Sequence, residues 1–117
     1  MAINLREKIL QADDIKKERV KIDEWGVEVE VRSLSGAERA RVVENSRSKD
    51  GDVDEQKFYS MLVIASVFDP ETGEKIFKPA DRDILSQKSF SALNKIAKVA
   101  ARISGMDDES EEKAEKN

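Results

Sequence analysis

The sequence of 117 residues contains no cysteine and no histidine. Disulfide bonds, zinc sites built from these residues, cysteine nucleophiles and Ser-His-Asp triads are therefore excluded. Neither a G-x-G-x-x-G sequence nor a Walker phosphate-binding loop occurs. Two carboxylates could serve as acid and base, but no pair is singled out by its spacing. The sequence therefore predicts a protein without catalytic residues, without a cofactor and without a bound metal.

Long apolar segments are also lacking. No run approaches the ~20 apolar residues that are needed to cross a bilayer. The opening "MAINLREKIL" has no apolar core of the kind found in signal peptides. We therefore expect a protein that does not enter a membrane and that works in the cytoplasm of the cell that makes it.

An excess of positive charge is missing as well. The chain has 21 Lys and Arg against 25 Asp and Glu, a net charge of −4. The final eleven residues, "DDESEEKAEKN", hold six of the acids and two of the bases, which leaves 19 of each in residues 1–106. Nucleic-acid binding is not expected, because it depends on an excess of Lys and Arg. The composition predicts one domain over residues 1–106 and an acidic, disordered tail over residues 107–117.

The first third of the chain combines helix and strand patterns. "NLREKILQADD" has the apolar spacing of a short amphipathic helix, with Asn4 as its N-cap. "VKI" (20–22) and "VEVEV" (27–31) alternate with period two, and Gly26 between them suits a turn, so they predict a β-hairpin. In the second strand the three valines should share one face and the two glutamates should face water.

The remaining elements are predicted to be mainly helical. "SGAE", which begins at Ser35, is a capping box and predicts a helix to about Arg47. A second helix should begin near residue 54 and include the apolar run "FYSMLVIASVF" (58–68), and a brief helix should follow Pro79. A last helix should span about 89–104, and Gly105 suits the position just after its end. With Ile76 and Phe77 as a candidate short third strand, we predict a small α+β domain in which a β-hairpin packs against about four to five helices.

The acidic turns allow two interpretations. Aspartates at 13–14, 50–54 and 81–83 could supply oxygen ligands to a divalent cation, and "DGDVDE" superficially resembles a calcium loop. The twelve-residue ligand pattern is not met, however, and exposed acidic turns account for most such partial matches. We therefore predict solvated turns rather than metal sites.

The large apolar side chains are the candidates for partner contact. Trp25 either folds back over its own hairpin or stands as an exposed anchor at an interface, where tryptophan is enriched. The aromatic residues Phe58, Tyr59, Phe68, Phe77 and Phe90 are predicted to lie in the core. A helix that is apolar on nearly every side is nevertheless hard to cover completely in so small a domain. The candidates for partner binding are accordingly Trp25, Phe58, Tyr59, Met61 and Phe68.

Five segments in order resemble the tail assembly chaperones of bacteriophages with long, non-contractile tails. These are the "NLREKILQADDI" helix with its acidic break, the "EWGVEVEV" hairpin, the "RSLSGAER" capping corner, "MLVIASVFDPETGEKIF", and "ALNKIAKVAARISGM". The resemblance covers about residues 1–106. Ser86 and Gln87 depart from it, because relatives tend to have glycine at the corner before the last helix.

The resemblance implies an assembly factor that is not an enzyme. Such chaperones coat the tape measure protein, keep it soluble, help to recruit tail tube subunits and are absent from the finished virion. Many of their genes also yield a longer, frameshifted product that is thought to contact the tube protein. The resemblance thus implies a tape measure partner, a tail tube partner and action in the host cytoplasm, and the uncovered apolar surface predicts a homo-oligomer. A small regulatory module, such as an anti-repressor, is the alternative.

Overall fold

The computed structural model describes residues 4–106, which form an antiparallel three-stranded sheet, five α-helices and a short 3₁₀ helix at Pro79–Asp81. This confirms the predicted α+β fold class. The elements in chain order are α1 (Leu5–Gln11), β1 (Lys17–Ile22), β2 (Val27–Arg32), α2 (Gly36–Asn45), α3 (Glu55–Ser66), β3 (Val67–Phe68), α4 (Arg82–Leu85) and α5 (Phe90–Ile103). None of these helices is long and apolar enough to span a bilayer. The predicted tail, residues 107–117, lies outside the described residues.

The hairpin forms as its alternation predicts. Ile22 pairs with Val27 across the turn, and Gly26 adopts φ +65°, where glycine is favoured because it has no Cβ. Val29 and Val31 are buried as expected, but Val27 is 46% exposed because it lies at the end of the strand, beside the turn. The register places the three valines on one face of β2, as predicted. The prediction that both glutamates face water is wrong at Glu30, whose side chain is 17% exposed and pairs with Arg32.

The third strand lies earlier in the chain than predicted. Helix α3 ends at Ser66, and the next two residues form β3, which pairs with Glu30 and Val31 of β2. The β-branched Val67 is extended at the helix end, and this conformation places it in the sheet. Residues 76–77 do not form the predicted strand. The segment just before them contributes one isolated β-bridge, between Lys75 and Phe68.

The core lies between the sheet and helices α3 and α5. Its buried apolar residues come from every strand and from helices α2, α3, α4 and α5; they are Val20, Ile22, Val29, Val31, Val42, Met61, Leu62, Val63, Ile64, Val67, Leu85, Ala92, Leu93, Ile96, Ala97 and Ala100. Burial of this kind stabilises by roughly 25 cal/mol per Å² of apolar surface. Helix α1 contributes no buried residue.

The end of the last helix is fixed by a contact with the rest of the domain and by its own capping bonds. The Leu34 backbone N–H, just after β2, donates to the Ser104 hydroxyl at 2.9 Å. At the end of α5, Gly105 has φ +74°, and the Met106 N–H reaches back to the Ala101 carbonyl at 2.7 Å. This is a Schellman ending, and it confirms the role predicted for Gly105.

Candidate partner-binding surfaces

Helix α1 presents apolar side chains that the described part of the chain does not cover. Leu5, Ile9 and Leu10 are 75%, 68% and 67% exposed. Asn4 caps the helix by accepting a hydrogen bond from the Glu7 backbone N–H at 2.8 Å, as predicted. Because Leu5 and Ile9 are four residues apart, they lie on one face of the helix. A soluble domain rarely leaves such a cluster open unless it has a partner for it.

A groove of about 540 Å³ runs between α3 and α5. Its apolar lining residues are Phe58, Tyr59, Leu62, Ala97, Ala101 and Met106, and its polar lining residues are Glu55, Asn94, Lys98 and Arg102. Small alanines on α5 keep the groove open, since larger side chains there would fill it. An apolar floor with charged rims is the surface that an amphipathic helix can bind.

A smaller cavity of about 250 Å³ shares Tyr59 with this groove and reaches Phe90. The two rings pack edge to face, with centroids 5.6 Å apart. Phe90 is 62% exposed, so its predicted place in the core is wrong. It begins α5 one residue after the N-cap Ser89, and the first turn projects it past the core. The buried Ser60 hydroxyl lines this cavity without a hydrogen-bond partner among residues 4–106.

The five predicted contact residues do not form one cluster. Phe58 and Tyr59 are half-buried and line the groove. Met61, on the same helix, is buried with 7% exposure, so the folded chain presents little of it to a partner. Phe68 lies on the other face of the sheet, where the Arg32 guanidinium stacks 3.9 Å from its ring centre. Trp25 lies at the hairpin tip, and partner contact by these residues stays a prediction.

Trp25 is half-buried and packs against the core, as in the first of its two interpretations. Its neighbour Glu24 ties the hairpin tip to α5. A hydrogen bond from the Ser91 side chain is the largest cause that lowers the pKa of Glu24 below 4.5, and its own backbone N–H and Lys95 lower it further. The Lys95 ammonium lies 3.3 Å from the Glu24 carboxylate. The indole therefore has a defined position rather than a free one.

The acidic turn at 48–54 is closed by its own hydrogen bonds. The Ser48 N–H donates to the Asp52 carbonyl at 2.7 Å, and the Ser48 hydroxyl donates to the Asp50 carboxylate. That side-chain bond, followed by one from the Asp52 N–H, lowers the pKa of Asp50. Among residues 4–106 no three acidic side chains converge into a possible ligand set. The geometry is that of a solvated turn.

Sequence reasoning missed the contribution of α1 and of Phe90 to the exposed surface. The spacing of Leu5 and Ile9 indicates an apolar face, but such a face can pack against its own domain or against a partner. No local signal reports whether an amphipathic helix finds a site on its own chain. Phe90 carried the misleading signal of an apolar residue in register with the buried side of α5.

This architecture has a match among proteins of known structure. No protein-family model matches the chain, and no curated protein does. Among solved structures, the chain is similar to the bacteriophage HK97 tail assembly chaperone, with a TM-score of 0.57 and 18% sequence identity. The similarity covers 84% of this chain and 95% of that protein. The resemblance inferred from the five sequence segments is thus matched by a shared architecture: the chain has the fold of a bacteriophage tail assembly chaperone.

Proposed function

We propose that this protein is a non-catalytic tail assembly chaperone of a long-tailed phage or prophage. It binds the tape measure protein, keeps it in solution and helps to recruit tail tube subunits in the host cytoplasm. The shared fold and the ordered sequence segments support this role from two directions. The observation that carries it is the apolar surface left open on α1, where Leu5 and Ile9 are about two-thirds or more exposed.

The groove between α3 and α5 suits a long helical partner. Its wall α5 has 14 residues, which is about 21 Å or four turns of helix. A partner helix that places apolar residues at every third or fourth position would bury them against Phe58, Tyr59 and Leu62. Association of this kind depends on apolar burial, because residues 1–106 have no net charge to attract a partner over a distance.

The same surfaces support self-association. A chain of this size buries a modest fraction of its surface, so further burial between copies adds stability. Several copies along one tape measure protein would each cover a short length of it. Contact with the tail tube protein, through this chain or through a frameshifted longer form, belongs to the same proposal.

Co-expression tests the proposal directly. The tape measure protein encoded in the same genome is expressed alone, with the wild-type chain, and with the double variant Leu5→Glu/Ile9→Glu. These substitutions are on exposed positions, so they should alter folding stability by no more than about 0.5 kcal/mol. Ile84→Glu, at a 64% exposed position on α4, is the matched control.

We expect the wild type and the control to raise the soluble fraction of the tape measure protein, and the double variant to fail. An equal soluble fraction with and without the wild-type chain would contradict the chaperone role. If the chain instead bound and inactivated a repressor encoded in the same genome, the regulatory alternative would be favoured.

A further inference from the structure

The edge of β2 opposite β1 is covered along only part of its length. Among the described residues, β3 pairs with Glu30 and Val31 alone. The register of that pairing, continued by two residues, would bring Pro70 opposite Glu28. Proline has no N–H to donate, and the Asp69 N–H is already bound to the Glu74 carbonyl at 2.8 Å. The chain therefore leaves β2 before it reaches Glu28.

The polar backbone groups of Glu28 point toward this uncovered edge. The Ser33 N–H donates to the Lys16 carbonyl at 2.8 Å, which identifies the Lys16–Ser33 pair as hydrogen-bonded. Hydrogen-bonded and non-hydrogen-bonded pairs alternate along an antiparallel ladder. The Lys21–Glu28 pair, five steps along the register, is therefore of the other kind. Its Glu28 N–H and C=O point away from β1, to the side where β3 has ended.

A cleft of about 510 Å³ lies beside this part of β2. Apolar side chains line it, among them Trp25, Val27, Ile76 and Phe77. Val27 and Ile76 are 46% and 41% exposed. Open strand groups next to apolar pockets are the two elements that bind an extended peptide by strand addition.

The charges of the cleft indicate which peptide fits. The cleft is lined by three acidic residues, Glu28, Asp69 and Glu71, and by one cation, Arg19. The Arg19 guanidinium pairs with the Glu28 carboxylate at 3.3 Å. Two carboxylates are left in excess. The other sheet edge, on β1, carries Lys17, Arg19 and Lys21, and cations of this kind protect an edge from pairing.

We propose that this cleft binds an extended peptide segment of a partner protein, in which apolar residues alternate with Lys or Arg. The segment adds to β2 at Glu28, places an apolar side chain among Trp25, Val27 and Ile76, and sets a cation near Glu71. This site is separate from the α1 and groove surfaces of the proposed chaperone role and does not depend on that role.

The probe is a blocked heptapeptide of alternating lysine and valine, titrated into the ¹⁵N-labelled full chain and followed by amide chemical shifts. We expect saturable shifts centred on Val27, Glu28 and Ile76. A peptide with glutamate in place of lysine should bind more weakly. Two further peptides are N-methylated on alternate residues. The peptide whose methyl groups replace the N–H hydrogens that face β2 should lose binding, and the other peptide should keep it.

Two variants test the contacts at exposed positions. Glu71→Lys should weaken binding about fivefold, the effect of removing and inverting one surface charge pair, while Asp14→Lys, outside the cleft, should leave it unchanged. Ile76→Glu should abolish the shifts.

Absence of a saturable shift at Glu28, equal binding of the lysine and glutamate peptides, or shifts confined to the groove between α3 and α5 would overturn the proposal. Loss of self-association in the Ile76→Glu variant would assign the cleft to a second copy of the chain instead. None of these results bears on the tape measure co-expression test.

Discussion

Ser35 and Glu38 exchange hydrogen bonds at the start of α2. The Glu38 backbone N–H donates to the Ser35 hydroxyl at 3.2 Å, and the Ser35 N–H donates to the Glu38 carboxylate at 3.0 Å. Each bond satisfies a backbone donor that the first helical turn leaves without a partner. The pair also sets the corner at which β2 turns into the helical half of the domain.

Removal of this cap should lower stability measurably. Ser35→Ala should reduce the free energy of unfolding by about 1 kcal/mol, because the Glu38 N–H loses its acceptor. Urea denaturation followed by circular dichroism measures the change, and Ser35→Asp, which retains an acceptor, should recover most of it. An unfolding free energy for Ser35→Ala that equals the wild-type value would show that the capping box contributes nothing.

The contact between Glu24 and α5 should make stability sensitive to acid. The pKa of Glu24 is lowered in the folded chain, so its ionised carboxylate stabilises the fold at pH values above the ordinary pKa of 4.5. This contribution is lost as the pH falls through the lower pKa of the folded chain. Glu24→Gln should therefore flatten the acid limb of the stability curve. Urea midpoints measured between about pH 7 and pH 3 test this.

Glu7→Gln serves as the control for this experiment, because in residues 4–106 the Glu7 carboxylate makes no hydrogen bond or ion pair. It should retain the acid limb of the wild type. An unchanged acid limb in Glu24→Gln would mean that the contact with Ser91 and Lys95 does not persist in solution.

The acidic turn at 48–54 should not bind calcium or magnesium. The Oδ1 atom of Asp50 already accepts from the Ser48 hydroxyl and from the Asp52 N–H, so this oxygen is directed into the turn. Thermal unfolding with millimolar calcium, magnesium or sodium chloride at matched ionic strength should give one melting temperature. A saturable rise of several degrees with a single divalent ion would contradict the turn interpretation.

Self-association should withstand high salt. The surfaces proposed to mediate it are apolar, and residues 1–106 carry no net charge. Screening of charges by salt should therefore weaken the association very little. Sedimentation velocity between about 0.05 and 1 M salt tests this, over which the Debye length falls several-fold. We expect an oligomer throughout the range. A monomer at every salt concentration, or an oligomer that dissociates at high salt, would contradict the prediction.

Local chemistry was sufficient to predict much of the fold. The caps at Asn4 and Ser35, the turn at Gly26 and the helix ending at Gly105 each depend on residues within about five positions along the chain. Alternation over 27–31 likewise predicts a strand because successive side chains point to opposite faces. Such patterns are complete in the sequence, since all the atoms that form them are close along the chain.

The exposed surface was decided by tertiary packing. Met61 and Phe58 lie in one apolar helix, yet Met61 is buried whereas Phe58 lines a groove, because sheet and neighbouring helices cover only part of α3. The third strand formed at Val67 because β2 offered it a partner across about 36 residues of chain. Leu5 and Phe90 remain exposed for the complementary reason: among residues 4–106, helix α1 has no buried residue, and Phe90 has the Tyr59 ring against it but is still 62% exposed. Hydrophobicity is a property of the residue, whereas burial depends on what the folded chain places against it.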